Sequence, residues 1–276
     1  MIATMLIAQI TDTHIKPGGR LAYGRVDTAG HLGRAVDHVN ALEQRPDVVL
    51  VTGDIGDAGV ADEYSVVRSH LDRLAMPYFV IPGNHDSRDG LRESFADHAY
   101  LPKQGYIHYV IEDYPVRLIG LDSTVPGKAG GMMCTERLEW LAARLAEGDG
   151  RPTLLFIHHP PFLTGIRHMD ADNCAGGDDF GRLVARHPAV GMLLCGHLHR
   201  DIAVGWHGIL ACTAPSPAHA VSFDLSAEGP PRYHMEPPAT RLVHLADDGR
   251  LVAHLSPIGS FDGPHPFFDP TGKLVD

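Results

Sequence analysis

Nowhere does an apolar run approach the ~20 residues of a membrane span, so no membrane-spanning helix and no membrane partner are expected. The apolar start, Met1–Ile10, lacks a basic region and a cleavage site, and Asp12 follows at once. It reads as a first strand rather than a signal peptide, which places the protein in the cytoplasm. Cysteine is scarce: Cys134, Cys174, Cys195 and Cys212 form no CxxC pair and no disulfide framework. Cys195, at the end of Met192-Leu193-Leu194, reads as a small buried hydrophobe. Positive charge is in deficit, with 23 Lys and Arg against 34 Asp and Glu and a net charge of −11. That balance argues against a protein that tracks a nucleic-acid polymer, which needs a basic face. Internal repeats and low-complexity tracts are also lacking.

The 276 residues suit one large domain, or a domain with a small lobe. A chain of this size buries roughly three quarters of its unfolded surface, so it needs no covalent staples. A hydrophobic fraction of 44% and a charged fraction of 21% are those of an ordinary globule. The 19 histidines are many, and several fall in clusters with carboxylates, which a metal site explains.

Those clusters are Asp12-Thr13-His14, Gly53-Asp54-Ile55-Gly56-Asp57, Gly83-Asn84-His85-Asp86, His158-His159 and Gly196-His197-Leu198-His199. Each follows an apolar run of β type: Met5–Ile10, Val48–Val51, Tyr78–Ile81, Thr153–Ile157 and Gly191–Cys195. Between them, Thr28–Glu43 carries Leu32, Ala35, Val36, Val39 and Leu42 at helical spacing, with Thr28 as its N-cap. Ala61–Leu74, Thr135–Glu147 and Asp179–His187 read as further helices, and Ile107–Ile111 and Arg117–Leu121 as strands of a second sheet. Strand and helix alternating through short connections predict a layered α/β architecture. In such sheets the ligand site lies at the carboxyl ends of the strands, where Asp12, Asp54 and Asn84 emerge. If the extended backbone persists past Met5–Ile10, Asp12 and His14 project to one side and can reach one ion. After His199 prolines become frequent, with short β-like pieces at Ala220–Leu225 and Arg241–Ala246. We divide the chain into a catalytic domain, 1–200, and a lobe, 201–276, that acts as a lid or an oligomer contact.

One aspartate can bridge two ions, and Asp54, central among the clusters, is the candidate. Mixed imidazole and carboxylate donors suit zinc, iron, manganese or cobalt and disfavour an all-oxygen calcium site. A water between two such ions would lose a proton near neutral pH and become a nucleophile.

The five clusters, in this order, resemble the calcineurin-like metallophosphoesterase superfamily, whose pattern runs DxH, GDxxD, GNH(D/E), H and GHxH. The match spans roughly residues 10–200. It implies a four-layer αββα sandwich of two mixed sheets flanked by helices. It further implies that Asp12, His14, Asp54 and His199 hold one metal, and Asp54, Asn84, His158 and His197 the other. The resemblance implies that a hydroxide between the ions attacks phosphorus in line. It implies that His85, outside the ligand set, faces the phosphate or protonates the leaving alkoxide, and that Asp57 matches the family's partner that orients His85. His158-His159-Pro160-Pro161, Met169-Asp170 and Cys195 resemble bacterial glycerophosphodiesterases and class III cyclic-nucleotide phosphodiesterases, and His219 matches a loop histidine of those relatives with a substrate-contact role. Tyr23 and 168–174 are candidates for lining the substrate pocket, and His159 for supporting its neighbour. The second motif is followed by Ala58 where protein phosphatases of the family carry arginine. One cation fewer favours a singly charged diester, with Arg88 a partial substitute.

The resulting expectation is a binuclear-metal phosphodiesterase of small diesters, glycerophosphodiesters first. A 3′,5′- or 2′,3′-cyclic nucleotide phosphodiesterase is the alternative within the same chemistry. A binding scaffold on the same fold is the alternative outside it, and the complete ligand set argues against it. Homo-oligomerisation through the C-terminal lobe is expected from the closer likeness.

Overall fold

The computed structural model describes residues 4–275; the part of the apolar start before Thr4 lies outside them, as does Asp276. In chain order the elements are β1 (Met5–Ile10), α1 (Thr28–Ala41), β2 (Val48–Thr52), α2 (Ala61–Leu71), β3 (Tyr78–Ile81), α3 (Arg88–Ser94), β4 (Tyr109–Ile111) and β5 (Arg117–Leu121). There follow β6 (Gly131–Met132), α4 (Thr135–Ala146), β7 (Thr153–Ile157), α5 (Arg167–Asp170), β8 (Cys174–Ala175), α6 (Gly177–Val184) and β9 (Val190–Cys195). The last third is all strand: β10 (Ile202–Trp206), β11 (Ile209–Thr213), β12 (Ala220–Val221), β13 (Tyr233–His234), β14 (Ala239–Leu245) and β15 (Leu251–Pro257).

Two mixed sheets form the centre, one ordered β15-β14-β1-β2-β3 and the other β10-β11-β9-β7-β5-β4. The strands that deliver the clusters, β1 to β3 and β7 with β9, run parallel to their cluster-bearing neighbours. Side-chain alternation explains the layers. From the second sheet Leu118, Leu154, Phe156, Met192 and Leu194 enter one core together with Ile7 and Leu50 of the first, on the face from which Gln9 reaches the Cys195 carbonyl (2.9 Å). The intervening Ile119, Leu155, Ile157 and Leu193 enter another, under Leu141 and Leu145 of α4 and Phe180 and Leu183 of α6. Helices α1 and α2 cover the outer face of the first sheet with Leu32, Val36, Val67 and Leu71. The fold is the four-layer αββα sandwich.

Two local expectations change. Asp27, not Thr28, caps α1, because its carboxylate accepts from the Gly30 N–H (2.9 Å). The expected boundary between residues 200 and 201 falls inside the second sheet, between β9 and β10, while β14 pairs antiparallel with β1 and places Met5 opposite Leu245. Residues 239–257 are therefore part of the first sheet.

Candidate metal centre

At the carboxyl ends of β1, β2 and β9 the backbone leaves the extended conformation abruptly. Asp12 (φ 55°), His14 (φ 43°), Asp54 (φ 48°), His197 (φ 71°) and His199 (φ 53°) are all left-handed. For residues with a Cβ this costs roughly 1–2 kcal/mol each, so the surroundings must over-determine it. They do. The Asp12 and His14 N–H groups donate to the Gly53 and Asp54 carbonyls (3.0 and 2.9 Å). The His197 N–H donates to the Asp12 carboxylate (3.0 Å), and the Ser216 hydroxyl donates to the Asp12 carbonyl (2.8 Å). Residues two apart thus reach one cavity through this left-handed turn, not through persisting strand alternation. Close approach also explains Gly83: a Cβ there would meet the Asp54 nitrogen at 2.3 Å.

Asp86 fastens two of these loops to each other. Its carboxylate accepts from the N–H groups of Ile55 (3.1 Å), Gly56 (3.0 Å) and Gly83 (2.9 Å), and from the Tyr64 hydroxyl (3.2 Å). Glu63 does the same for the next turn, accepting from Asp57, Ala58 and Val60.

The sequence-derived candidates converge. The Nε2 atoms of His14 and His199 are 3.1 Å apart, and His199 Nε2 is 3.4 Å from Asp12 Oδ1. Asp54 Oδ2 lies 3.6 Å from His14 Nε2 and 3.3 Å from His158 Nε2, which is 3.2 Å from Asn84 Oδ1. A tetrahedral ion with ligands at ~2.0–2.1 Å separates its donors by about 3.4 Å, so these spacings suit a cation. The second nitrogens are anchored so that Nε2 faces inward: His158 Nδ1 donates to the Thr52 carbonyl (2.8 Å) and His199 Nδ1 to the His219 carbonyl (3.2 Å). His197 Nε2 is buried with no hydrogen-bond partner. The donor set fits two ions, one among Asp12, His14 and His199 and one around His158, His197 and Asn84, with Asp54 reaching both groups.

The electrostatics divide the ligands, with His158 drawn against burial to its charged form by Asp54, and His197 and His199 held neutral. Burial pushes the Asp12 carboxyl up to about 6. Burial also acts upward on Asp54, but His158 and His14 outweigh it and hold the group well below the carboxylate range. Burial likewise opposes charge on His158, yet Asp54 lifts it to about 9. Burial keeps His197 (about 3) and His199 neutral, as ligating imidazoles must be.

Asp57 differs from its expected role. Its carboxylate faces His14 Nδ1 (3.5 Å) and pairs with Lys16, while its main-chain carbonyl, 2.7 Å from His85 Nδ1, orients His85. Arg88 does not replace the missing cation, because its guanidinium is held by Asp122 (2.6 and 3.0 Å) and the Thr124 carbonyl. His159 lies beside His158 and His197 but is not available as a ligand: both ring nitrogens are taken, by the Ser123 hydroxyl (2.7 Å) and the Ala129 carbonyl (2.9 Å).

A cavity of about 390 Å³ opens over this cluster, with His14, Asp54, Asn84, His85, His197 and His199 at its floor. Tyr23 and His219 form part of its wall, their rings 5.3 Å apart. Burial keeps His219 neutral, with its pKa lowered to about 4. Of the segment 168–174, His168 and Met169 line the cavity; Asp170 instead ties down the Thr164 and Gly165 amides, and Cys174 is buried. The sequence reading missed Val221, Pro231, Arg232 and Tyr233, which close the far wall. Tyr233 stacks on Tyr23 at 4.8 Å.

A model of the family described as calcineurin-like phosphoesterase matches residues 5–201. The chain is 40% identical to a probable glycerophosphodiester phosphodiesterase of Arcobacter nitrofigilis, covering 99% of this chain and 100% of that one. It is 36% identical to a probable cyclic nucleotide phosphodiesterase of Rhodopseudomonas palustris over 94% of each. A dimetal phosphatase from Danio rerio shares the fold with a TM-score of 0.63 at 16% identity, covering 92% of this chain and 99% of that one.

Proposed function

The chain belongs to the calcineurin-like phosphoesterase family, and from that premise we propose a metal-dependent phosphodiesterase of small diesters, glycerophosphodiesters first. The observation that carries this reading is the convergence of Asp12, His14, Asp54, Asn84, His158, His197 and His199 below one cavity. The full-length likeness to a probable glycerophosphodiester phosphodiesterase supports the substrate class.

Asp12, His14, Asp54 and His199 would hold one divalent cation, and Asp54, Asn84, His158 and His197 the other, with manganese, iron, zinc or cobalt suited to the donors. Bound there, the pair supplies the positive charge that lowers the pKa of water and neutralises a phosphate. The protein's own groups position the reactants. His85 donates Nδ1–H to the Asp57 carbonyl, which leaves Nε2 facing the cavity. In the imidazolium form its Nε2–H would meet a phosphate oxygen or pass its proton to the departing alkoxide, leaving the neutral ring. The Asn84 amide turns its oxygen to His158, leaving its N–H groups for the phosphate. Asp57 holds His14 in orientation, and Tyr23 and His219 flank the substituents of the diester. His159, fixed by Ser123 and Ala129, packs His158 and His197 in place.

Cyclic nucleotides are the second reading, favoured by the stacked Tyr23–Tyr233 pair, which presents an aromatic face, and by the likeness to a probable cyclic nucleotide phosphodiesterase. Metal-loaded protein given glycerophosphoglycerol and cyclic AMP separates the two; a tenfold preference for the nucleotide reverses the order. Turnover of bis(p-nitrophenyl) phosphate with added manganese tests the chemistry itself, and folded protein inert with several metals would instead be a binding scaffold.

We also assign residues 214–238 the role of a lid over the cavity, and 258–275 that of a contact between copies of the chain. The exposed Phe261, Phe267 and Phe268 support the latter. A cytoplasmic location is supported by four free cysteines, three of them buried.

A further inference from the structure

Among the described residues that line the cavity, Asp54 is the one carboxylate and Arg232 the one fixed positive charge. The first lies at the floor and the second on the far wall, beside Tyr233. The main chain holds Arg232 in place: Val221 pairs with Tyr233 across β12 and β13, and the Ser222 N–H donates to the Arg232 carbonyl (2.8 Å). Its guanidinium is largely unspent. Among the described residues its one partner is Asp224, at 3.3 Å through Nη2, while the other Asp224 oxygen is taken by the Ser226 N–H and hydroxyl. Among the described residues the remaining N–H groups have no protein acceptor, and they face solvent.

Consider a diester whose phosphate rests at the floor among Asn84 and His85. One of its substituents must rise along the wall formed by Tyr23, Tyr233, Val221 and Pro231. Two stacked tyrosines would by themselves attract a quaternary ammonium through their ring faces. Arg232, lining the same cavity, opposes that attraction, because like charges brought together disfavour the cationic ligand. Hydroxyl groups and anionic oxygens, in contrast, find its free donors. We propose that Arg232 is a specificity-determining residue that selects diesters whose second substituent is a polyol or an anion, and rejects those carrying choline or ethanolamine.

This rests on the phosphodiesterase reading and narrows its substrate class. The test is the ratio of kcat/KM for glycerophosphoglycerol to kcat/KM for glycerophosphocholine, two diesters that differ in the charge of the substituent. Manganese-loaded wild type should favour glycerophosphoglycerol at least fivefold. Arg232→Glu should lower the ratio about tenfold, Arg232→Gln about threefold, and 0.5 M salt should shrink the wild-type ratio, since Arg232 is 62% exposed and screened. Arg250→Glu, the same change of charge on a remote turn, should leave the ratio alone. A ratio within twofold of wild type in Arg232→Glu, an equal response in Arg250→Glu, or a wild type that prefers choline overturns the assignment. Should Arg232→Glu not fold, Arg232→Gln alone decides by the same ratio. Wild type inert toward bis(p-nitrophenyl) phosphate sinks the underlying phosphodiesterase reading, a distinct result from an active enzyme with an unmoved ratio.

Discussion

His108 receives a hydrogen bond at Nδ1 from the Asp122 main-chain N–H (2.9 Å), so that nitrogen must keep its lone pair. Its ring stacks on Trp140 at 4.9 Å, and only 8% of the residue is exposed. Burial lowers its pKa to about 4, against the opposing pull of Asp122 and with the help of Arg137 and Arg88. In the unfolded chain the same group titrates near 6.5. Between these values the unfolded state binds the proton and the folded state does not. Stability contributed by His108 is therefore complete above pH 6.5 and falls as pH drops toward 4, by up to ~1.4 kcal/mol per pH unit. His108→Asn places an amide oxygen where Nδ1 accepts and removes the titration. In urea titrations of metal-free protein, wild type should lose more stability than the variant between pH 6.5 and 4. Parallel curves would mean that His108 charges without cost. The same scale shows why motif residues were legible while their geometry was not. Asp12 and Asp54 stand out by side-chain chemistry and by following an apolar run. Their left-handed φ and the sharing of Asp57 between His14, Lys16 and, through its carbonyl, His85 depend on contacts between loops far apart in sequence. Arg232 carries no local signal at all: it is one arginine in a proline-rich stretch until Val221 pairs with Tyr233.

Among elements, β14 changes most between sequence and structure. Flanked by prolines and distant from the motifs, it reads as part of a lobe, because periodicity marks a strand but not its partner. Its partner is β1, and the pairing covers an edge that β1 would otherwise expose. Ala239, Val243 and Leu245 are buried in the sheet, and Arg241 reaches the Thr213 carbonyl (2.8 Å) next to its pair with Asp201, tying the first sheet to β11. Two fully buried aliphatic side chains contribute roughly 1.5–3 kcal/mol each, and the ladder and the Arg241 contacts add to them. A total margin of about 5–15 kcal/mol does not survive their loss. A chain ending at Pro238 should accumulate as insoluble protein, whereas one ending at Ile258, with β15 intact, should keep its melting temperature within about 3 °C. The shorter of the two remaining soluble and cooperatively folded would return residues 239–257 to the status of a dispensable lobe. Light scattering on the longer one reads the proposed contact between copies, which should be lost with Phe261, Phe267 and Phe268. The strands β1, β3, β5 and β7, by contrast, were legible to the residue, since each is an apolar run bounded by turn-forming or motif residues.

On the scale of the molecule, the candidate ligands divide between the layers. Asp12, Asp54 and Asn84 follow strands of the first sheet, and His158, His197 and His199 follow strands of the second. A cation held by both sets fastens the two sheets at their carboxyl ends. Metal-free protein has no such tie and carries a penalty besides, since burial pushes Asp12 up to about 6 beside an ionised Asp54. Cations that bind only the folded state should therefore stabilise it strongly. At a free concentration one hundred times the dissociation constant the gain is about 2.7 kcal/mol per site. With about 2–4 °C per kcal/mol for a chain of this size, one filled site should raise the melting temperature by ~5–10 °C over EDTA-treated protein, and a second by a comparable amount. Metal content by elemental analysis should reach two per chain as the melting temperature levels off. Asp54→Asn, which removes the carboxylate common to both groups, should abolish most of the rise, while Asp248→Asn on a remote turn should leave it intact. Equal melting temperatures with and without bound metal would show that the ions sit elsewhere, and that the sheets are joined at this end by protein contacts alone.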